Sequence, residues 1–172
     1  NMSLGGGKYT DPSTCNSEQS AIKAVIDSLR SVNIATIIAS GNEGYVDALG
    51  APGCISSAIS VGSTWAKSGA EYCGASASYA NADDISCFSN SANFLNLLAP
   101  GSQINSSVLN GLYQSLSGTS MAAPHVAGAW ALIKQKKYSA SVDEVLNAFV
   151  STGKPVFDKR NGTIKPRIQV DK

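Results

Sequence analysis

A serine at the opening of a helix is the residue of this chain best placed to do chemistry. Ser120 lies in Gly118-Thr119-Ser120-Met121-Ala122-Ala123-Pro124-His125-Val126-Ala127-Gly128, between a polar turn, Gln114 to Ser117, and an apolar run, Val126 to Ile133. That layout is a loop feeding a helix, with Thr119 or Ser120 near its start, where side-chain oxygens cap free N–H groups. Small residues, Gly118, Ala122, Ala123, Ala127, Gly128 and Ala129, allow close packing, and apolar residues occur all round. This predicts a buried central helix. A serine at such a start sits among unpaired backbone donors and the positive end of the helix dipole. Those donors can stabilise the oxyanion formed when its hydroxyl attacks a carbonyl. A single serine at a helix start is more often a plain cap. Met121 and Ala122, following Ser120, exclude the Gly-x-Ser-x-Gly elbow.

Two further stretches carry groups where a ligand can reach them. Ile34 to Ala39 is a continuous apolar run, suited to a buried parallel strand, and it ends in Ala39-Ser40-Gly41-Asn42-Glu43-Gly44. Ligand sites in such sheets lie off the carboxyl ends of strands, although Asn42 by itself reads as a turn residue. Ser3-Leu4-Gly5-Gly6 reads as the exit of a short strand, Asn1 to Leu4, in which glycines let another backbone approach. The only histidine, His125, follows Ser120 by five residues in the same helix, a spacing that turns it away from the serine. Asp11, Asp27 and Asp47 lie in no motif that would orient a histidine.

The string from Gly118 to Gly128 resembles the nucleophile motif of the subtilisin-like serine proteases, peptidase family S8. Ser3 to Gly6 and Gly41 to Gly44 are similar to two further segments of that family. The resemblance implies an α/β fold, a three-layer αβα sandwich with a mainly parallel sheet and a central buried helix starting at the nucleophile. It implies Ser120 as nucleophile and the Asn42 amide as oxyanion donor. Ser3, Leu4 and Gly5 would form one wall of the substrate pocket, and Ala39, Ser40 and Gly41 the other. Thr119 joins these substrate contacts, and Glu43 would sit at the pocket and favour basic or polar side chains. The implied substrate is a protein or extended peptide.

Such chemistry also needs a histidine base and an aspartate that orients it. In the family both precede the Ser-Leu-Gly-Gly segment, where this chain starts. The resemblance therefore implies that residues 1–172 are the C-terminal portion of one peptidase domain, partnered by an upstream half that carries Asp and His. Processing, autolysis and numbering all stay open for the break before Asn1. Two other readings remain: a protease-like binding module without catalysis, and an esterase using Ser120. The reaction calls for no cofactor or metal. In some relatives carbonyls of the loop after the oxyanion segment bind a weak cation, so a structural calcium stays open. Asp83-Asp84 reads as a solvated turn rather than calcium ligands.

Composition agrees with a single domain. The chain has 172 residues, 43% of them hydrophobic, enough for a substantial core. A formal charge of +1 points to neither nucleic acid nor an anionic membrane surface, and no apolar run approaches the ~20 residues of a membrane span. Four cysteines without close pairing spacing argue against zinc. Cys73 and Cys87 bracket a Ser/Ala/Asn/Asp-rich stretch, read as an insertion over about 64–87 closed by a local Cys73–Cys87 disulfide; by elimination Cys15 pairs with Cys54. Two disulfides favour a secreted or periplasmic setting, against buried thiols in a cytosolic protein.

The remaining elements follow from periodicity. Ile22, Val25, Ile26 and Leu29 predict a helix over Ser17 to Ser31 with one apolar face, making a βαβ unit with the flanking strands. Ala58 to Gly62 reads as a strand, and the resemblance to the family implies further strands at Phe88 to Asn90, Leu95 to Pro100 (with the turn Ala99-Pro100-Gly101) and Lys165 to Asp171. A hairpin is expected from Ile104 to Leu116. Ser141 to Glu144 is a capping box opening a helix to about Val150.

Overall fold

A mixed, mostly parallel sheet divides the core into two layers of side chains. The computed structural model describes residues 1–73 and 76–170, apart from the side chains of residues 72–78. In chain order the elements are β1 (Gly6–Tyr9), α1 (Pro12–Glu18), α2 (Ser20–Ser31), β2 (Ile37–Ala39), β3 (Leu49–Ala51), β4 (Ile59–Trp65), β5 (Gly69–Cys73) and β6 (Ser76–Ala80). Then come β7 (Leu97–Ser102), β8 (Ile104–Ser107), β9 (Tyr113–Leu116), α3 (Thr119–Lys136), α4 (Val142–Thr152), β10 (Lys154–Phe157) and β11 (Ile164–Arg167). The central sheet runs β10-β11-β7-β4-β2, with every neighbour pair parallel except β10 with β11.

Side-chain alternation along the strands builds the layers. Ile37, Ala39, Ile59, Val61, Leu97 and Ala99 face α3 and α4, whereas Ile38 and Leu98 face the opposite way, with Ile26 of α2. A strand with helices over both faces reads as an unbroken apolar run. That is why Ile37 to Ala39 shows no alternation in sequence; the expected strand over Ile34 to Ala39 is confined to these residues, and Ile34 before it is exposed. Trp130 of α3 and Phe149 of α4 lock the helical layer, their ring centroids 5.8 Å apart.

Several boundaries differ from expectation. The predicted helix over 17–31 is two helices. Asp11 caps the first by accepting from the Thr14 N–H at 2.8 Å, Pro12 follows it, and Gln19 leaves helical geometry between the two. The Asp11-Pro12 start lies well before Ile22, the first residue of the apolar period, so periodicity does not signal the first helix. Of the expected apolar face only Ile26 is buried, while Val25 is 60% exposed. Asn1 to Leu4 is no strand but a single parallel bridge, Met2 to Ile38. Phe88 to Asn90 is a loop in no ladder, joined to the 41–44 segment by single backbone bonds: the Asn90 N–H donates to the Gly41 carbonyl and the Phe88 carbonyl accepts from the Gly44 N–H. Pro100 and Gly101 lie inside β7, and β10, with Pro155 on an edge strand, went unforeseen.

Other expectations hold. The hairpin is β8–β9, and the capping box of Ser141 and Glu144 is complete. The Glu144 carboxyl is drawn down to about 2, first by the Ser141 N–H and then by Lys137. The Cys15–Cys54 disulfide forms, with Cα atoms 6.0 Å apart, and ties α1 to the turn after β3. Cys87 is disulfide-bonded; the expected Cys73–Cys87 pairing itself lies outside the described residues. Within the stretch around 64–87, β5 and β6 pair antiparallel. Asp83 and Asp84 are not simply solvated. Asp83 pairs with Lys154 at 2.6 Å, and Asp84 lies 3.6 Å from Lys159.

Asp158 is buried and holds Arg160 in a bidentate pair, at 2.9 Å to Nε and 2.8 Å to Nη2. Burial pushes its carboxyl up, but the Arg160 hydrogen bonds and charge together outweigh burial and leave it below the ordinary value. A carboxyl lowered in the folded state contributes stability that is present above the unfolded value, about 3.9, and is lost as pH falls through the folded one. Asp158→Asn is therefore expected to cost about 3 kcal/mol at neutral pH, because it leaves the guanidinium unpaired. In urea denaturation the gap to the parent protein should narrow as pH is lowered through the carboxylate range. A gap independent of pH would show that the pair is not its source.

Candidate active site

Ser120, Asn42 and Ser3 come together from three separate elements. Ser120 is the second residue of α3, at the sheet's carboxyl edge, and is half-buried. Its Oγ donates to the Ser3 carbonyl at 3.4 Å, and the Ser3 hydroxyl donates back to the Ser120 carbonyl at 2.8 Å. Gly118, just before the helix, makes no side-chain cap. The cap comes instead from a distant loop. Asn42 Oδ1 accepts from the Thr119 N–H at 2.8 Å and from its hydroxyl at 2.9 Å.

This double acceptance orients the Asn42 amide. With Oδ1 engaged by Thr119, the Nδ2 end is left to donate on the exposed side, and Asn42 is exposed. The Ser120 amide, in the first turn, has no intrahelical acceptor. Two donors and a hydroxyl therefore sit at the positive end of an 18-residue helix. That is the equipment for holding a negative charge that develops on an attacked carbonyl oxygen. Thr119 itself is fully buried. Its hydroxyl donates to Asn42 and accepts from the Gly41 N–H at 3.3 Å, so it positions the loop instead of presenting itself to a ligand.

The two predicted walls are joined from behind. Met2 brackets Ile37 to Ala39 through two backbone hydrogen bonds, which sets Ser3 to Gly5 beside Ala39 to Gly41. The far side is tied by β3: Gly6 pairs with Ala51, and the Gly50 N–H donates to the Ser40 carbonyl at 2.8 Å. Leu4 is 56% exposed, while Ala39 and Ser40 are buried. Glu43 does not hang free. Its carboxylate accepts from the amide of Asn90 at 2.7 Å. A groove of about 400 Å³ runs from Ser120 and Met121 past Pro124 and His125 to Leu116 and Val108.

The histidine does not reach the serine. On a helix of 3.6 residues per turn, five residues place it about 140° round the axis. Its Nδ1 engages the Met121 carbonyl of its own helix at 2.8 Å. The three aspartates are engaged elsewhere: Asp11 caps α1, Asp27 pairs with Lys23, and Asp47 pairs with Lys8. Among the described residues no side chain stands ready to take the Ser120 proton. The face of α3 expected to be buried all round is also open at Pro124, His125 and Gly128, with Leu132 60% exposed.

The chain matches the model of the subtilase family over residues 1–167. It belongs to the subtilases. It is 42% identical over 139 residues to an intracellular serine protease of Paenibacillus polymyxa, which covers 78% of this chain and 35% of that protein. It is 33% identical to alkaline serine exoprotease A of Vibrio alginolyticus, over 96% of this chain and 27% of that one. A subtilisin of Bacillus pumilus is 34% identical, over 88% of this chain and 48% of that protein. The crystal structure of a cold-adapted subtilisin-like serine proteinase superposes with a TM-score of 0.75 at 30% identity, covering 98% of this chain and 54% of the other. This subtilase chain thus spans between a quarter and just over half the length of those relatives.

Sequence reasoning passed over Asn90, the most connected polar side chain near the site. The Phe88-Ser89-Asn90 string looked like a strand, and nothing local signals that an asparagine will be buried against a loop almost fifty residues away. Gly41 is a strict requirement of this subtilase loop. Its φ is +107, a region L side chains rarely adopt, and an added Cβ would overlap Asn90 Nδ2 and lie 2.7 Å from Glu43 Oε2. Gly41→Ala is expected to destabilise the protein by about 2–4 kcal/mol through strain and overpacking. Thermal unfolding checks this; an unchanged midpoint would mean that the loop does not hold this conformation in solution.

Proposed function

We propose that this chain is the nucleophile-bearing portion of a serine endopeptidase, with Ser120 as nucleophile. The observation that supports this most is Asn42: its carbonyl end is locked on Thr119, so its amide end is available beside Ser120. In the proposed reaction Ser120 Oγ attacks the carbonyl of a peptide bond. Its proton passes to a histidine held by an aspartate, and the oxyanion is held by the Ser120 N–H and Asn42 Nδ2. The substrate lies as an extended strand between Ser3–Gly5 and Ala39–Gly41, on the backbone groups those segments leave free. All of this chemistry uses protein groups and water, so no cofactor is assigned to it.

The histidine and aspartate come, on this reading, from an upstream segment of the same peptidase domain. Three features support a companion there. The chain covers 27–48% of the relatives' lengths. One face of α3 is uncovered among the described residues, and the outer edge of β2 carries only a single bridge, Met2 to Ile38. A buried Cys15–Cys54 disulfide favours an oxidising compartment, secreted or periplasmic. The relatives' names point both ways, since one is an intracellular protease and another, from Thermus, an extracellular one. No helix among the described residues is long and apolar enough to cross a membrane.

A second reading is a protease-like module that binds without cleaving, favoured by the lack, among the described residues, of a proton acceptor near Ser120. Labelling of the purified protein, with every segment that accompanies it, by a fluorophosphonate separates the two. Stoichiometric modification of Ser120, together with cleavage of peptide substrates, is the expected result. No modification in folded protein would overturn the peptidase reading in favour of the binding module. Cleavage of small esters without peptides would favour an esterase.

A further inference from the structure

Asn90 is fully buried, in the loop between β6 and β7. Its side chain makes four hydrogen bonds, all to one segment. Oδ1 accepts from the Glu43 N–H at 3.2 Å and the Tyr45 N–H at 3.0 Å. Nδ2 donates to the Ser40 carbonyl at 3.1 Å and to Glu43 Oε2 at 2.7 Å. Its backbone joins in: the Asn90 N–H donates to the Gly41 carbonyl at 3.0 Å, and the Asn90 carbonyl accepts from the Ser40 hydroxyl at 3.1 Å. Residues 40, 41, 43 and 45 are thus all pinned by one amino acid, and Asn42 is the position they enclose.

A loop of this kind has no ladder to set its shape. Satisfying its backbone from a buried amide replaces the ladder, and the amide's two acceptor and two donor directions match the groups offered. The template is itself anchored. Arg160 donates to the carbonyls of Cys87 and Ser89, at 3.0 and 2.9 Å, and Arg160 is gripped by the buried Asp158.

We propose that Asn90 is a positioning residue for the oxyanion donor, holding the Ser40–Tyr45 loop so that Asn42 Nδ2 points at the reacting carbonyl. The proposal rests on the peptidase reading above. Asn90 touches no substrate and acts only through Asn42 and its neighbours. Misplacing a reacting group by about 1 Å can cost about a hundred-fold, so a ten- to hundred-fold loss of kcat is the expected scale for Asn90→Ala.

The test is a double-mutant cycle in the whole protein with all its segments, reading kcat and KM on a peptide substrate. Asn42→Ala is expected to lower kcat. Asn90→Ala should lower it by about ten- to a hundred-fold in the parent protein but less than about two-fold when Asn42 is already Ala. Equal losses in both backgrounds would overturn the positioning role. No effect of Asn42→Ala on kcat would instead overturn the oxyanion reading, and with it this proposal.

A second pair keeps the test informative if Asn90→Ala fails to fold. Asn90→Asp sets a carboxylate against that of Glu43, and like charges this close cannot both ionise. Its kcat is expected to be depressed at neutral pH and to recover relative to the parent as pH falls. Adding Glu43→Gln restores a donor across the same contact and should raise kcat at neutral pH at least five-fold over Asn90→Asp alone, about 1 kcal/mol of recovered alignment. Failure of both the acid recovery and the rescue would overturn the proposal.

Discussion

Ser120→Ala is expected to abolish peptide hydrolysis while leaving the fold unchanged. The Ser120 hydroxyl makes one hydrogen bond, a long one of 3.4 Å to the Ser3 carbonyl, so its removal deletes little that holds the structure together. The thermal midpoint should shift by less than about 0.5 kcal/mol equivalent. Turnover should fall by about a million-fold, the loss known for the nucleophile of subtilisin and not a figure derived from this geometry. The residual rate would come from the oxyanion donors and substrate binding, which remain. Peptide hydrolysis measured on the whole protein decides. Substantial activity in the alanine variant would place the nucleophile elsewhere and reduce Ser120 to a helix-start residue.

The second large effect concerns Asn42, whose two ends do different work. Asn42→Ala should lower kcat by about a hundred- to a thousand-fold with little change in KM. That is again the loss known for the corresponding donor of subtilisin, not one computed from these distances. It should also cost stability by about 1 kcal/mol, because the Thr119 N–H and hydroxyl lose their acceptor. Asn42→Asp separates the two contributions. A carboxylate keeps the acceptor for Thr119 but supplies no donor and sets negative charge where the oxyanion forms. Stability near that of the parent, with activity at or below that of the alanine variant, is the expected pattern. A carboxylate variant as active as the parent would remove Asn42 from the oxyanion site.

Both predictions rest on a division of labour along the chain. The helix start that carries Ser120 is local in origin: small residues, a polar turn before it and an apolar run after it. The donor beside it is not local. Asn42 reaches Thr119 across 77 residues, and Asn90 reaches the Asn42 loop across nearly fifty. Hydrogen bonds of such separation leave no periodicity in the sequence, so an asparagine in a turn and one that pins a distant loop look alike until the fold assembles them.

The helix expected over 17–31 shows a related limit. The apolar spacing of Ile22, Val25, Ile26 and Leu29 identified a helix, and α2 is one. Periodicity cannot say which apolar face finds a partner, and here Ile26 alone is buried while Ile22 and Val25 face outward. The same holds for α3. Its all-round apolar character predicted complete burial, yet burial needs neighbours on every side, and the Pro124–His125–Gly128 face has none among the described residues.

By itself, the sequence determined the capping box at Ser141, the hairpin at 104–116, the buried strand ending at Ala39 and the Cys15–Cys54 pairing by elimination, and its resemblance to the subtilases implied the fold class and the nucleophile candidate. Each of these depends on contiguous patterns or on a count. Only the tertiary structure decided what holds the site. It turned the Asn42 amide by engaging its oxygen on Thr119, buried Thr119 away from any ligand, tied Glu43 to Asn90 and carried His125 round the helix away from Ser120. These are decisions of packing and hydrogen-bond satisfaction between distant segments. A polar group buried without a partner costs more than most contacts gain, so the fold fixes orientations that no local stretch of sequence encodes.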